Sequence, residues 1–496
     1  MDYSQFGAML PELIILGIFL LVFIFDIFSG EGGKKILTPL TAVLFGLGTV
    51  AVWVIPASGE TVFGGMYIND TATNAIKAML NVGVFIVLLQ SARWADSELV
   101  SIRKGEFYEL LLVTLFGMYL MVSARHFLLF IIGLESASLP LAAMVALDKH
   151  RNESHEAAIK YIMTAVFSSA ILLVGLSFVY AFSGGSLYFS DLALAVAQSG
   201  TSGLLICALA FVLAGIGFKL SLVPFHLWTA DVYQGAPTAV TSYLSVISKG
   251  AAAFAFFIIF VQCFGAVYSE IWEWMLYAVI ILTITVGNLF AIRQKNMKRF
   301  MAFSSVSQAG YIMLGAMACD DLGLASMMFY IFVYIVSNLG AFAVITAIEN
   351  NAGKLSMDDY RGLHKTNPWL SFAMTLAMFS LAGIPPFAGF FSKILIFTSV
   401  TGTGSMALYM LVLIALINTI ISLYYYLLVV KAMWISPEEP VVATFRTPCV
   451  ERVSMWLCTA GIILFGLVSC IYQYCVDSVA NAETGNILAS LLPILN

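Results

Sequence analysis

Long, nearly continuous apolar runs separated by short polar stretches repeat down the whole chain. A helix needs about 20 apolar residues to cross about 30 Å of hydrocarbon. Runs of that length lie at residues 9–28, 36–56, 74–92, 107–123, 126–146, 157–183, 203–227, 237–263, 272–292, 300–318, 324–348, 371–400, 405–430 and 453–476, so the pattern predicts about fourteen spans. They lack the short apolar/polar alternation of barrel strands. Lipid offers no partner for an open backbone hydrogen-bonding group, so such runs must be helical. The predicted fold class is an all-α polytopic membrane protein, with no loop long enough for a separate catalytic domain.

Composition agrees: of 496 residues, 61% are hydrophobic and 10% charged, where a soluble domain carries about 25% charged residues. The net charge of -5 matters less than where the charges fall. On one side of the predicted spans fall Lys34, Lys35, Arg93, Arg103, Lys104, Lys149, Arg151, Arg293, Lys295, Lys298, Arg299, Lys354, Arg361, Lys365, Lys431, Arg446 and Arg452, and on the other only Arg125 and, at a helix start, Lys77. The positive-inside rule then puts both termini outside the cytoplasm. The first residues, MDYSQFGAML, carry no basic stretch and do not resemble a cleaved signal, so the first helix is expected to stay. The seven cysteines form no CxxC pair or Cys/His cluster for zinc or iron-sulfur. There is no GxGxxG after a strand and no Walker A loop, since glycine-rich residues 30–35 lack the spacing and the Ser/Thr. No histidine pair is spaced to hold haem, so no cofactor, metal or nucleic acid is expected on this chain.

Four lysines remain inside spans: Lys160, Lys219, Lys249 and Lys393. Ionisable groups in a membrane cost several kcal/mol by most measures, and they usually mark ion or proton paths. Residues 217–237, GFKLSLVPFHLWTADVYQGAP, place Lys219 in an apolar segment that Pro224 interrupts. Residues 383–393, GIPPFAGFFSK, repeat the combination of glycine, Pro-Phe and lysine, with Lys393 beyond Pro385 and Pro386. Transporters are often built from related halves containing broken helices, so spans four to eight and nine to thirteen are the candidate halves. Unwinding near Lys393 would expose carbonyls to an ammonium group. Lys249 lies mid-span, too deep to reach water easily. Lys160 lies near the basic end of its helix, where it can snorkel or relay protons.

Glu135, within LLFIIGLESASLPLAAM, is a candidate partner for Lys219. A carboxylate favours the ammonium form while desolvation disfavours it, so changing their separation would switch the lysine. A fixed ion pair that aids assembly is the simpler reading. His226 suits either proton relay at physiological pH or a cap at the membrane edge. Glu12 and Glu109 fall near span ends and are expected at the interface. Runs such as residues 254–260 read as packing surface.

These motifs together resemble the antiporter-like subunits of bacterial respiratory complex I, the proton-pumping NADH:quinone oxidoreductases. The resemblance covers nearly the whole chain, through LPELIILG, LESASLPL, EAAIKY, residues 217–237, NMKRFMAFSSVSQAGY, SNLGAF and SLAGIPPFAGFFSK. Lys393 favours the N type over sister subunit M, which has glutamate there, and the chain lacks the C-terminal lateral helix of subunit L. Ala230 departs from the family's LWTPD pattern, without removing a titratable group. The resemblance implies two inverted five-helix repeats, each with a discontinuous helix: residues 1–104 would hold helices one to three, 105–265 the first repeat, 266–435 the second, and 436–496 the last helix and tail. It implies an acid and lysine pair at Glu135 and Lys219, a central relay at Lys249, Lys393 in the second broken helix, and Lys160 as a further motif lysine.

By the same resemblance, the partners would be other membrane-arm subunits, and NADH, FMN, iron-sulfur clusters and quinone would belong to companion subunits. The expected function is proton translocation in a bacterial inner membrane as a non-redox part of an NADH:quinone oxidoreductase. A stand-alone or Mrp-type cation/proton antiporter subunit is the rival, and a purely structural membrane scaffold is a third reading.

Overall fold

Apolar segments of this length leave the backbone no choice but helix, and local chemistry fixes where each begins. Asp70, Ser202, Asn296 and Asp320 accept backbone N–H groups of the first turn that follows, satisfying donors a helix start leaves free. The computed structural model describes residues 3–97, 103–267, 271–435 and 440–482. The helices are α1 Leu10–Phe28, α2 Glu31–Val54, α3 Thr71–Ala95, α4 Lys104–Ser123, α5 Phe127–Val145, α6 Asn152–Phe182, α7 Phe189–Ser199, α8 Gly203–Leu220, α9 Thr229–Gly235, α10 Thr238–Phe264, α11 Glu273–Ile292, α12 Met297–Ala318, α13 Asp321–Ala352, α14 Leu363–Thr366, α15 Pro368–Ala382, α16 Ala388–Thr401, α17 Met406–Ile435, α18 Cys449–Leu467 and α19 Cys470–Ala480. Among the described residues twelve helical segments are long and apolar enough to cross a membrane, and α15 and α16 are shorter apolar helices.

A small antiparallel hairpin, β1 Thr61–Val62 and β2 Tyr67–Ile68, joins α2 to α3 and pairs Val62 with Tyr67. It marks one end of the bundle, here the hairpin end; most lysines and arginines lie at the opposite, basic end. The most enclosed elements are α3, α10 and α13. Helix α10 is buried along its whole length, so it forms the axis around which the others pack. Close crossings need glycine: a Cβ at Gly117 would lie 2.5 Å from the Ala137 nitrogen, and one at Gly133 2.5 Å from the Met121 nitrogen. These two residues let α4 and α5 touch backbone to backbone.

Two expected spans are each broken in the middle. Helix α8 stops at Leu220 rather than running to residue 227. Ser221 takes a left-handed conformation, the Val223–Pro224 bond is cis, and the chain resumes as α9. Between α15 and α16, Gly383 is left-handed (φ +86°) and the Pro385–Pro386 bond is cis.

The stretch 453–476, expected as one span, is also two helices. Helix α18 ends next to Gly466, which passes so near the second break that a Cβ would sit 2.2 Å from the Pro386 carbonyl; Val468 is then extended. Helix α7 was not expected. It is too short to span, but it buries Phe189, Leu192, Ala193 and Val196 and packs on α10. Residues 436–439 and 483–496 of the expected C-terminal unit lie outside the described residues.

Candidate functional site

The two breaks and the middle of α10 deliver three lysines to the interior. Lys219, Lys249 and Lys393 are 3%, 1% and 4% exposed. Lys219 is in the last turn of α8, and its Nζ donates to Ser138 Oγ at 2.7 Å and to the Tyr161 hydroxyl at 3.4 Å. The Trp228 ring packs on Tyr161 and Phe218, and its Nε1 donates to the Phe218 carbonyl at 3.2 Å. That bond ties the loop of the first break to the end of α8.

Glu135 is partly buried on α5, one turn before Ser138. Lys219 reaches the helix that carries Glu135. Among the described residues no ion pair joins them: Ser138, further along the same face, takes the ammonium group instead. Lys219 is thus hydroxyl-bound, one turn of α5 from the Glu135 carboxylate expected as its partner. His226 is nine-tenths buried within the first break, where its carbonyl accepts from the Thr229 nitrogen and its Nδ1 has no partner.

Lys249 donates to Ser305 Oγ at 2.8 Å and lies 5.6 Å from the centre of the Tyr233 ring. Ser305 in turn reaches the Tyr233 hydroxyl at 3.4 Å. Asn338 on α13 donates to Ser245 Oγ and to the Tyr334 hydroxyl, at 3.0 and 2.9 Å. One turn beyond Ser305 on α12, Gln308 accepts from the Tyr330 hydroxyl and donates to Tyr426 and to the Leu381 carbonyl.

Lys393 donates to that same Leu381 carbonyl and to the Ala382 carbonyl, both at 3.0 Å. These carbonyls end α15 at the second break, where a helix leaves acceptors unsatisfied and favours a cation. Around Lys393, a cavity lined by Gln308, Tyr330, Ser337, Ser380 and Ser392 offers about 10 Å³ to water centres, roughly what one water needs. Neutral hydroxyls, amides and carbonyls therefore run from Lys249 to Lys393.

Lys160 stands apart. It is partly exposed and pairs with Glu156 and Asp231, both at 2.7 Å; Asp231 also receives Arg299 at 2.7 Å. Together with Glu153 and Gln234 these residues line a cavity of about 230 Å³ at the basic end. Burial works to raise the Asp231 carboxyl, but the bonds from Lys160 and Arg299 outweigh it and hold the group below the usual carboxylate range. Its contribution to stability is therefore present above the ordinary carboxylate pKa and fades only as pH falls through its depressed value. Asp231→Asn is expected to change thermal stability by under about 1 kcal/mol, because the cluster is well solvated. A melting curve of the purified complex at neutral pH checks this.

Several polar residues escaped sequence reasoning. Ser304, Ser305, Gln308 and Tyr311 recur at helical spacing in an otherwise apolar span, which was the available signal; the buried tyrosines had none, because tyrosine is common in cores. Glu12 and Lys77, expected at the interface and at a helix start, are both 0% exposed and form an ion pair of 2.7 Å. They were misplaced because each is near the end of its own helix, while neighbouring elements cover those ends. Glu109 is partly buried. Lys298, expected among the surface bases, is enclosed and donates to the Ala236 carbonyl at 2.8 Å.

The profile of the NADH:quinone oxidoreductase/Mrp antiporter transmembrane family matches residues 124–422. The NADH-quinone oxidoreductase subunit N of Phocaeicola vulgatus is 50% identical, over 96% of this chain and 99% of its own length. That of Nitrosomonas europaea is 36% identical, over 94% and 96%. A chain of respiratory complex I from Thermus thermophilus superposes with a TM-score of 0.77 at 30% identity, covering 92% of this chain and 97% of that one. A chain of the Mrp complex from Dietzia sp. DQ12-45-1b shares the fold, with a TM-score of 0.82 at 19% identity over both full lengths. The chain belongs to the NADH:quinone oxidoreductase/Mrp antiporter membrane family, among its relatives of the subunit N type.

Proposed function

We propose that this chain translocates protons as a membrane-arm subunit of an NADH:quinone oxidoreductase, with Lys219, Lys249 and Lys393 as the relay sites. The supporting observation is the set of hydrogen-bonding side chains and carbonyls that lie between Lys249 and Lys393 on α12, α13 and α15. A buried lysine stores a proton at high cost, so a small change in its partners moves that proton on. Like charges nearby disfavour one another, so a proton gained at one lysine encourages release at the next. Glu135 is the acid of the Lys219 site, while His226 and the cluster of Lys160, Asp231 and Arg299 serve the basic end, from which protons enter.

On this reading residues 105–265 and 266–435 are the two related halves, broken at Pro224 and at Pro385–Pro386. Both termini lie on the non-cytoplasmic side of a bacterial inner membrane, because the basic end faces the cytoplasm. Electron transfer from NADH through FMN and iron-sulfur clusters to quinone belongs to companion subunits, and this chain contributes the non-redox step of the translocase.

The test is Lys249→Met in the assembled complex, reconstituted in vesicles. A roughly tenfold or greater fall in proton uptake coupled to quinone reduction is expected, with assembly unchanged on native gels. Normal pumping by the assembled variant would overturn the reading. The shared fold with an Mrp chain keeps cation/proton exchange as a second reading, favoured if the chain co-purifies with membrane subunits alone and without flavin or iron-sulfur proteins.

A further inference from the structure

Glu12 and Lys77 are buried, ionisable and unused by the relay above. We propose that they form its outward leg, carrying protons from the level of Lys249 to the hairpin end; the proposal rests on the proton-translocating reading.

Depth comes first. Helices α3 and α10 run antiparallel in contact. A Cβ at Gly83 would meet Ile247 at 2.4 Å, and one at Gly250 would meet Leu80 at 3.2 Å. Asn81 therefore stands level with Lys249, and Lys77, one turn back along α3, lies about 6 Å nearer the hairpin end.

Between these levels the packing is polar and incomplete. Asn81 is fully buried near the Tyr119 hydroxyl, and among the described residues its amide makes no hydrogen bond of good geometry; the same holds for Ser248 Oγ, beside Lys249. Buried polar groups are rarely left so in an apolar core. Tyr119 continues the line: its hydroxyl donates to the Lys77 carbonyl at 3.5 Å, and its ring centre is 5.5 Å from Lys77 Nζ.

At the far side, Lys77 Nζ meets Glu12 Oε1 at 2.7 Å, Asn69 Oδ1 at 2.9 Å and the Tyr67 hydroxyl at 3.2 Å. Tyr67 also donates to Glu12 Oε2 at 2.7 Å. The other charges here, Asp70 and Arg125, pair with each other at 3.4 Å. Tyr67 belongs to β2, and its partner strand lines a pocket of about 520 Å³ with Ser4, Gln5 and Glu60 at this end.

The proton count closes. A proton reaching the neutral Lys77 amine makes an ammonium group. Its passage to the Glu12 carboxylate restores the amine and leaves a neutral acid. Release through the Tyr67 side into the pocket returns the carboxylate. Stability does not explain the pair, since replacing a buried ion pair with apolar groups of similar volume is often neutral or stabilising.

That comparison supplies the test. In the reconstituted complex, the double variant Glu12→Leu with Lys77→Met removes both charges, and Asn81→Leu removes the buried amide that stands between Lys249 and Lys77. A structural role predicts that both assemble and pump normally. An outward leg predicts assembled complexes in which proton release per quinone reduced, or the coupled rate, falls at least about threefold. Should the double variant fail to assemble, Asn81→Leu decides: a threefold fall supports the proposal, and full pumping overturns it. Lys249→Met, run in parallel, separates the failures. If it too pumps normally, the relay itself is wrong; if it alone is impaired, only the outward leg falls.

Discussion

Lys219→Met is expected to lower coupled quinone reduction in the assembled complex by roughly tenfold or more, at least 1.4 kcal/mol of barrier. Methionine nearly matches the lysine stem in length and flexibility, so the packing between α8, α5 and α6 survives. The lost group is the ammonium that donates to Ser138 and Tyr161. Both hydroxyls keep other options: Ser138 already donates to the Leu134 carbonyl at 2.6 Å, so the variant leaves no charge stranded. Glu135, partly exposed, retains solvation without its lysine. Lys219→Arg is not a rescue, because a planar guanidinium with five donors does not fit a site shaped for a compact ammonium group. Native gels, reductase rates and vesicle acidification on the same preparation distinguish a relay defect from an assembly defect.

The second large effect is one of packing. A Cβ at Gly389 would stand 1.8 Å from the Ser380 carbonyl oxygen and 2.6 Å from its carbon. Both atoms are backbone, so neither can rotate away. The same approach lets the Gly389 nitrogen donate to Ser380 Oγ at 3.1 Å, and Ser380 meets Ser337 at 2.7 Å. Gly389→Ala must push α16 off the end of α15. Overpacking typically costs about 1–3 kcal/mol, and a clash with fixed backbone belongs at or above the top of that range. The expected result is a sharp drop in the amount of assembled complex and in its melting temperature. Alanine at Gly353, which ends α13 with nothing within 4 Å, tests left-handed strain alone and is expected to be far milder.

Much of this architecture is legible in the sequence because hydrocarbon imposes one rule on every span: apolar, helical and about 20 residues long. Eleven of the fourteen expected stretches match single helices, three are interrupted, and the prolines at 224, 385 and 386 mark two of those interruptions. The lysines also stand out, since charge within an apolar run is conspicuous. What joins them does not. Ser305, Gln308, Asn338 and Tyr233 gain meaning only when α9, α10, α12 and α13 meet, and no periodicity along one strand of sequence reports which faces converge. Distance along a helix is likewise a poor guide to depth in the folded protein. Glu12 and Lys77 sit near helix termini, yet the hairpin and adjoining helices close over them. In the opposite sense, Lys219 bonds Ser138 rather than Glu135, a detail set by helix rotation that spacing cannot resolve.

Lys393 differs from the other two interior lysines in what holds it. Lys219 and Lys249 lean on hydroxyls that evolution can exchange one residue at a time. The ammonium of Lys393 is gripped by main-chain oxygens of Leu381 and Ala382, which no substitution at those positions removes. Its appetite for a proton is thus slaved to the relative tilt of α15 and α16. If Lys393 relays protons as proposed, any companion subunit that leans on either half-helix would be felt at this amine as a change in acidity, and the second kink would be a mechanical input to proton transfer.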